Sequence, residues 1–256
     1  VKLVCSCAVE VKNESGVLRR CKNKNVQPYA PKKYTPPAPV SAPEVSPVVI
    51  GAGPAGLLCA LLLARCGARP ILLERGRAVE QRKRDVEHFW CTGELDLTSN
   101  VQFGEGGAGA FSDGKLNTGT KDLRHGYILE EFVRFGASED ILVDAKPHVG
   151  TDKLYVVLQN LRREIIDRGG EVRFSHKVVD IEQNSGSVTA LRVSAPEGEY
   201  TLPTKHVVLA PGHSARDTFE MLQKRGVPME PKPFAVGVRI EHRQRDMDLA
   251  QYKEAA

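Results

Sequence analysis

The sequence predicts an α/β fold built on a parallel sheet, with an inserted β-rich segment and the start of a second domain. Two apolar runs and the stretch between them support this prediction. Residues 48–50, Val-Val-Ile, form a continuous apolar run that is typical of a buried parallel strand. A helix is expected from about 54 to 66, because Gly67 supplies a C-terminal stop. Residues 70–74 provide the second strand, which completes a βαβ unit with an expected right-handed crossover.

The rest of the chain continues with further helices and strands around one glycine-rich loop. Residues 91–120 combine many glycines with no periodicity, so a long structured loop is expected there. Residues 171–204 are expected to form the inserted β-segment. The predicted helices cover 77–90, 122–135, 153–168 and 214–224, and the predicted strands cover 171–174, 177–181, 188–193, 199–202, 206–210 and 234–241. The helix at 153–168 carries an apolar stripe at helical spacing, with Thr151 or Asp152 as its expected N-cap.

Proline usage indicates how the chain is divided. Seven prolines fall within residues 28–47, and because proline fixes φ and removes an N–H donor, an extended linker is expected there. Residues 1–27 are expected to be the remnant of a small N-terminal domain, with short strands at 3–4 and 8–11 and a turn at 13–16. Residues 48–230 are expected to form the main domain, and 231–256 the start of a truncated second (substrate) domain.

A glycine motif follows the first predicted strand and opens the first predicted helix. Its residues are Gly51, Ala52, Gly53, Pro54, Ala55 and Gly56. This G-x-G-x-x-G pattern in this context is the dinucleotide fingerprint of a Rossmann-like domain. Gly51 allows the tight turn, Gly53 lets the backbone approach a pyrophosphate, and Gly56 lets the helix pack close to the sheet. The helix N-terminus then offers N–H groups and a partial positive charge to phosphates.

An acidic residue stands at the end of the second predicted strand. Glu74, followed by Arg75, lies 23 residues after Gly51. There its carboxylate can accept both hydroxyls of an adenosine ribose, and it would repel the 2′-phosphate of NADP. The combination predicts a dinucleotide site formed by the glycine motif, Glu74 and Arg75, but it does not distinguish FAD from NAD.

Four further segments carry a resemblance to a known family. Residues 100–120, 147–152, 208–219 and 232–239 resemble the signature segments of uncharacterised bacterial FAD-dependent dehydrogenases, within the glutathione-reductase-like flavoprotein superfamily. The resemblance covers about residues 26–252. It implies FAD as the cofactor, NAD(P)H as a candidate electron donor, and two-electron transfer through the flavin to or from a small-molecule substrate.

The same resemblance implies further cofactor-binding positions. In that superfamily a glycine loop after the βαβ unit lies near the pyrophosphate and the flavin. A strand residue meets the adenine through its main chain, and a turn leaves a strand beside the FAD. The matching residues are Gly106, Gly107, Ala108 and Gly109 in the loop, Val178 in the strand, and Ala210, Pro211 and Gly212 in the turn. Clustered glycines can also form an anion-binding nest, which agrees with this interpretation.

No catalytic residue is assigned, because a flavin carries its own hydride chemistry. Polar candidates in the matched segments are Ser112, Asp113, Lys115, His148 and His213. We hypothesise that Lys115 stabilises the reduced flavin near its N1–C2 oxygen. Cys91 stands alone where a dithiol enzyme would carry two cysteines, which disfavours disulfide reductase activity. No metal site is predicted.

Charge and composition restrict the function class. The first forty residues carry eight Lys or Arg against two Glu, whereas the remainder holds 28 basic and 30 acidic residues. A nearly neutral body gives no reason to expect a nucleic-acid partner, and no apolar run approaches the length of a membrane span. We therefore expect a cytoplasmic protein with no membrane partner, and the sequence does not indicate its oligomeric state. An RNA-modifying flavoprotein and a non-catalytic NAD-sensing module remain as alternatives.

One part of the flavoprotein pattern was not found. In the superfamily a C-terminal portion returns to the sheet with a second glycine-rich turn that holds the inner phosphate and ribityl chain, and this sequence shows no second turn of that kind. The chain therefore resembles a fragment truncated at both ends. We expect this chain by itself to bind FAD weakly or not at all.

Overall fold

The computed structural model describes residues 7–30, 32–111, 114–116, 120, 122–144, 146–238 and 240–254. The chain divides into two compact units, Val1–Met221 and Leu222–Ala256. In chain order the helices are α1 (Glu14–Arg20), α2 (Pro54–Arg65), α3 (Val79–Thr92), α4 (Arg124–Arg134), α5 (Thr151–Asp167), α6 (Arg216–Lys224) and α7 (Gln244–Tyr252). The strands are β1 (Val48–Ile50), β2 (Ile71–Glu74), β3 (Glu171–Phe174), β4 (Lys177–Asn184), β5 (Ser187–Ala195), β6 (Gly198–Pro203) and β7 (Val207–Leu209). Short 3₁₀ turns lie at Ala108–Phe111 and Glu139–Leu142.

Four strands form a parallel sheet, in the order β3-β2-β1-β7. Val49 of β1 lies between Leu72 of β2 and Val208 of β7, and all neighbouring pairs are parallel. The carboxyl ends of the strands therefore meet at one edge, and β1 lies where the chain order switches between its two sides. Ligands of open α/β sheets bind at such a switch point. The predicted α/β fold with a parallel sheet is confirmed.

A second sheet is antiparallel and has three strands, in the order β4-β5-β6. The turn between β4 and β5 places Ser185 and Gly186 at positive φ, 50° and 80°, as a type I′ hairpin turn requires. Sequence-adjacent strands paired by short turns explain why 171–204 has the composition of a β-rich segment. The prediction of an inserted β-rich segment is confirmed by this sheet, but the sheet covers only residues 177–203, because residues 171–174 form β3 of the parallel sheet.

The main core lies between the parallel sheet and the helices α2, α4 and α5. The predicted apolar stripe of α5 is buried there, through Leu154, Leu158, Leu161 and Ile165. The predicted N-cap was wrong: Thr151 and Asp152 are already helical, and Gly150 is the cap, with a φ of 80°. Glycine adopts this φ without the steric cost that a side chain would incur, so the helix starts one residue after it.

The N-terminal segment differs from its prediction. Residues 8–11 form no strand, and the predicted turn at 13–16 is the start of α1. The Asn13 side chain accepts a hydrogen bond from the Gly16 N–H at 2.9 Å, which makes Asn13 an N-cap rather than a turn residue. The other predicted strand, at 3–4, lies outside the described residues.

The predicted linker belongs to the first compact unit, Val1–Met221, and contacts α4 and the end of α2. Its described residues form neither helix nor strand. Tyr34 packs edge-on to Tyr127 of α4, with ring centroids 5.3 Å apart, and the Val40 N–H donates to the Cys66 carbonyl at 2.8 Å. We call residues 32–47 the strap. Whether it separates two domains stays a prediction.

The second compact unit differs as well. The predicted strand at 234–241 is absent from the described residues, and α7 follows in its place. Phe234, Val236 and Val238 alternate as in a strand, but their side chains are about four-fifths exposed, at 79%, 81% and 85%. An alternating segment becomes a strand only when a neighbour accepts its hydrogen bonds, and this segment has none among the described residues. No helix in the described part of the chain is long and apolar enough to span a bilayer.

Candidate functional site

A cavity of about 410 Å³ opens at the carboxyl edge of the parallel sheet, where β1 lies between β2 and β7. Its volume lies within the range of about 300–1,000 Å³ that is typical of ligand sites. Most of the predicted site residues line it together: Gly51, Gly53, Pro54, Ala55, Glu74, Arg75, Gly107, Ala108, Val178, Ala210, Pro211 and Gly212. Ala52 and Gly56 are buried beneath this surface. Residues far apart in sequence therefore meet at the predicted position.

The three motif glycines meet three different surroundings. Gly51 has a φ of +100°, and a Cβ there would overlap the carbonyl group of Ala210. A Cβ on Gly56 would overlap the carbonyl oxygen of Gly51, so the close approach of α2 to the loop requires a glycine. A Cβ on Gly53 would meet nothing within 4 Å. Gly53 therefore leaves an open space at the helix start, as a close backbone approach to a ligand requires.

The N-terminus of α2 faces the cavity without a side-chain cap. Gly53 is the N-cap residue, Pro54 is the first helical residue, and no side chain caps the helix. The first helical hydrogen bond runs from the Leu57 N–H to the Gly53 carbonyl, at 2.9 Å. The N–H groups of Ala55 and Gly56 precede it, and the helix itself offers them no acceptor. A ligand phosphate is the natural acceptor at such a terminus.

Glu74 is at the predicted place but is engaged with the backbone. Its Oε2 accepts from the Ala52 N–H at 2.7 Å, and its Oε1 accepts from the N–H groups of Gly76 and Gly104 at 2.9 and 3.0 Å. The residue is only 5% exposed, although it contributes to the cavity wall. Since a carboxylate has about four acceptor positions, about one is left for a ribose hydroxyl, not the two we expected. Ribose binding by Glu74 stays a prediction.

The glycine loop crosses the start of α2. The Gly106 N–H donates to the Ala52 carbonyl at 2.8 Å, and a Cβ on Gly107 would lie 3.3 Å from the Gly53 Cα. Gly107 and Ala108 line the large cavity, whereas Gly106 and Gly109 line a smaller one of about 130 Å³ between α2 and α5. The loop therefore separates the two cavities. Two of its four predicted cofactor-binding residues line the large cavity.

Two cationic side chains, Arg75 and Lys177, line the large cavity. Arg75 donates to both oxygens of Asp217, at 2.9 and 3.2 Å, and lies 4.5 Å from the ring centroid of Phe103. Lys177 contacts the same carboxylate at 2.6 Å. Burial raises the pKa of Asp217, but the hydrogen bonds from Arg75 and Lys177 outweigh it and lower that pKa to about 2. Two cations thus share one carboxylate, so the cavity lining carries a net positive charge where Arg75 and Lys177 lie.

Among the described polar candidates, Lys115 and His148 are neighbours, whereas His213 lines a different cavity from Lys115. His213 lines the large cavity, whereas Lys115 lines the smaller one. Lys115 and His148 are partners in an isolated antiparallel bridge. Ser112 and Asp113 lie outside the described residues. The role of Lys115 beside a flavin stays a hypothesis, and no catalytic group is assigned.

Two buried charged residues of the site were missed by the sequence interpretation. Arg82 of α3 and Glu105 of the glycine loop are both 0% exposed; Arg82 donates to the Glu105 carbonyl, and the Glu105 side chain accepts from the Val79 N–H. Val79, Arg82 and Val86 follow one another at helical spacing, so Arg82 lies on the inner face of α3. That spacing was a usable signal, because a charged residue between two buried valines must find buried partners.

A comparison with family models identifies the chain more closely. The model for the pyridine nucleotide-disulphide oxidoreductases matches residues 45–244. The chain belongs to this family. The family consists of FAD-dependent oxidoreductases, so the predictions of an oxidoreductase and of FAD as its cofactor are confirmed at the level of the family. The narrower resemblance to the glutathione-reductase-like superfamily stays a prediction.

Individual relatives align with part of this chain, and the chain aligns with part of each of them. An uncharacterised protein of Clostridium beijerinckii is 50% identical over 206 residues, which are 80% of this chain and 38% of that protein. A 12-dehydrotetracycline 5-monooxygenase/anhydrotetracycline 6-monooxygenase of Streptomyces rimosus is 30% identical over 63% of this chain and 29% of that protein. Among solved structures, THI4 of Thermovibrio ammonificans is similar, with a TM-score of 0.46 and 20% identity over 72% of this chain and 64% of that one. The chain spans about a third of the length of these two curated relatives.

Proposed function

We propose that this member of the pyridine nucleotide-disulphide oxidoreductase family binds the ADP half of FAD in the large cavity and transfers two electrons through the flavin. The observation that carries the proposal is the uncapped N-terminus of α2, which opens into the cavity at Gly53. A diphosphate fits this place because it accepts from the helix N–H groups and is attracted by the helix dipole. Arg75 and Lys177 add positive charge to the same cavity.

Different residues of the cavity would bind different parts of the cofactor. The N–H groups at the start of α2 would hold the diphosphate, and the remaining acceptor position of Glu74 would hold a ribose hydroxyl. Val178, which also lines the cavity, would contact the adenine. The flavin, when bound, supplies the hydride chemistry, and the protein supplies position and electrostatics.

The reaction type is the finer part of the proposal. The glycine-loop signature favours a dehydrogenase acting on a small molecule, with NAD(P)H as a candidate electron donor. A monooxygenase is the second candidate, since the Streptomyces rimosus relative carries that name. Incubating the protein with FAD, NADPH and a small-molecule extract under ¹⁸O₂ separates the two. A monooxygenase places ¹⁸O in an organic product, whereas a dehydrogenase forms a product without it.

The cofactor assignment is tested with Gly53→Ala. Gly53 has a φ of −71°, which alanine adopts freely, so the variant should fold normally. Its new methyl group would occupy the space where the diphosphate lies. We expect the dissociation constant for ADP, measured by calorimetry up to millimolar ligand, to rise about tenfold, the equivalent of roughly 1.4 kcal/mol.

Gly126→Ala is the matched control. Gly126 lies in α4, and a Cβ there would also meet nothing within 4 Å, so ADP affinity should not change. Repeating the titration with FAD and with NAD⁺ distinguishes a flavoprotein from an NAD-sensing module. Failure of the wild-type chain to bind ADP at millimolar concentration would contradict the proposal, whereas weak binding of FAD would not, because this chain by itself is expected to bind the whole cofactor weakly or not at all.

A further inference from the structure

Arg82 is the most deeply buried cation next to the cavity, and its hydrogen bonds go to backbone carbonyls. Its Nε donates to Asn100 at 2.8 Å and its Nη2 donates to Val101 at 2.9 Å. Its Nη1 donates to both Glu105 and Gly107, at 2.6 and 2.8 Å. One guanidinium therefore binds four carbonyls of the segment that ends in the cavity wall.

These bonds determine which way the loop peptides face. In a trans peptide the C=O and the following N–H point in opposite directions. The peptide between Glu105 and Gly106 shows the consequence, because its carbonyl accepts from Arg82 while its N–H donates to the Ala52 carbonyl at 2.8 Å. Arg82 thus connects the glycine loop to the glycine motif, at Ala52, through an oriented peptide.

The next oriented peptide lies between Gly107 and Ala108. Its carbonyl also accepts from Arg82, so the Ala108 N–H is directed to the opposite side of the loop. Both residues line the large cavity, and a Cβ on Gly107 would lie 3.3 Å from the Gly53 Cα. Gly107 has a φ of +61°, a conformation that other residues rarely adopt. This peptide therefore stands beside the start of α2, at the place proposed for the diphosphate.

We propose that Arg82 is a positioning residue for FAD: it turns the Gly107–Ala108 peptide so that the Ala108 N–H donates to an anionic oxygen of the diphosphate. The inference rests on the proposed function and adds a donor to it, from the wall beside the α2 terminus. Arginine suits the role because its planar group has five donors in a fixed arrangement, whereas lysine has a single centre. Burial lowers the pKa of Arg82 to about 10, so the side chain stays charged at neutral pH.

The test follows backbone amides of protein labelled with ¹⁵N-alanine, with ADP as the probe. Ala108 reports on the loop and Ala55 reports on the start of α2. We expect ADP to shift both amide signals in the wild type. In Arg82→Met and Arg82→Lys, the Ala55 shift should remain while the Ala108 shift is lost, and ADP affinity should fall about tenfold. Arg84→Met, an exposed position on the same helix, should behave as the wild type.

Each outcome decides one claim. An unchanged Ala108 signal in a wild-type protein whose Ala55 signal shifts would overturn the role of Arg82 and leave the proposed function standing. The same holds if Arg82→Lys keeps both shifts and full affinity. If ADP shifts neither signal in the wild type, the proposed function fails, and this inference fails with it. Arg82→Lys keeps the test informative if Arg82→Met does not fold.

Discussion

At the scale of single residues, the glycine loop depends on a carboxylate in an unusual environment. The Oε2 of Glu105 accepts from the Val79 N–H at 2.8 Å and from Arg162 at 2.7 Å, while its buried Oε1 has no partner in the described part of the chain. Glu105 therefore caps α3 from the glycine loop and ties that loop to α5. Burial raises the pKa of Glu105 to about 7, although the Val79 amide and the Arg162 charge act in the opposite direction.

The stability of the protein should depend on the protonation of Glu105. Its pKa is higher in the folded protein than the ordinary value of 4.5, so the folded state keeps the proton longer. This contribution to stability is complete below pH 4.5 and is lost as the pH rises through about 7. Between pH 5 and 8 the free energy of unfolding of the wild type should fall by about 2 kcal/mol relative to Glu105→Gln.

Urea unfolding of both proteins at several pH values measures this difference. Glu197→Gln, at an exposed glutamate, is the control and should show no relative change. A constant difference between wild type and Glu105→Gln across this range would show that Glu105 does not titrate there.

At the scale of elements, one arginine joins the three helices of the main core. Arg65, the last residue of α2, contacts Glu131 of α4 at 2.6 Å and Glu164 of α5 at 3.3 Å, and donates to the Tyr127 hydroxyl at 3.1 Å. Burial lowers the pKa of Arg65, but the hydrogen bond and charge of Glu131 outweigh it, so the pKa is raised. These contacts fix the C-terminal end of α2 and therefore the position of its N-terminus at the cavity.

Removing only Arg65 from its ion pair with Glu131 should destabilise the protein more than removing both partners. Arg65→Met leaves Glu131 buried without its cation, so the free energy of unfolding should fall by about 3 kcal/mol. The double variant Arg65→Met with Glu131→Leu should recover much of that loss, because no uncompensated charge remains. Arg168→Met is the control, since Arg168 also contacts Glu164 but is 44% exposed, and it should change stability by less than about 1 kcal/mol.

Equilibrium urea denaturation of the four proteins compares these values. Equal losses in the single and double variants would contradict the prediction, because they would show that Glu131 tolerates being buried alone.

At the scale of the whole molecule, the segment before β1 has two parts with different roles. Helix α1 has no buried residue. The strap contacts the main unit through Tyr34 and Val40, and Lys33 pairs with Glu130 at 2.9 Å. We therefore expect the segment that composition identifies as a connector to contribute to the stability of the unit to which it belongs.

Two N-terminal deletions distinguish the contribution of α1 to stability from that of the strap. Removing residues 1–27 should leave the melting temperature nearly unchanged, because α1 buries nothing. Removing residues 1–42 should lower the free energy of unfolding by about 2 kcal/mol, through loss of the aromatic contact and the Val40 hydrogen bond. Thermal and urea unfolding measure both. Equal stability of the two shortened proteins would show that the strap contributes nothing.

The sequence predicted those elements whose signals are local. The βαβ unit, the apolar stripe of α5 and the strands of the second sheet follow from short-range periodicity and turn residues, and they are present, whereas the pairing of β4, β5 and β6 into one antiparallel sheet was not predicted. The strand predicted at 234–241 failed for a non-local reason, because alternation supplies one apolar face but no partner strand. The turn predicted at 13–16 failed because an Asn three residues before a Gly suits both a turn and a helix N-cap.

By itself the sequence determined the fold class and predicted where the candidate site lies, since both depend on the spacing of Gly51, Gly53, Gly56 and Glu74 along one βαβ unit. Only the tertiary structure decided how the site is completed. The partners of Glu74 are backbone N–H groups, Arg82 and Glu105 are buried beneath the loop, and Asp217 is shared by Arg75 and Lys177. These partners lie up to 142 residues apart along the chain, and no local pattern shows which charges will meet once they leave water.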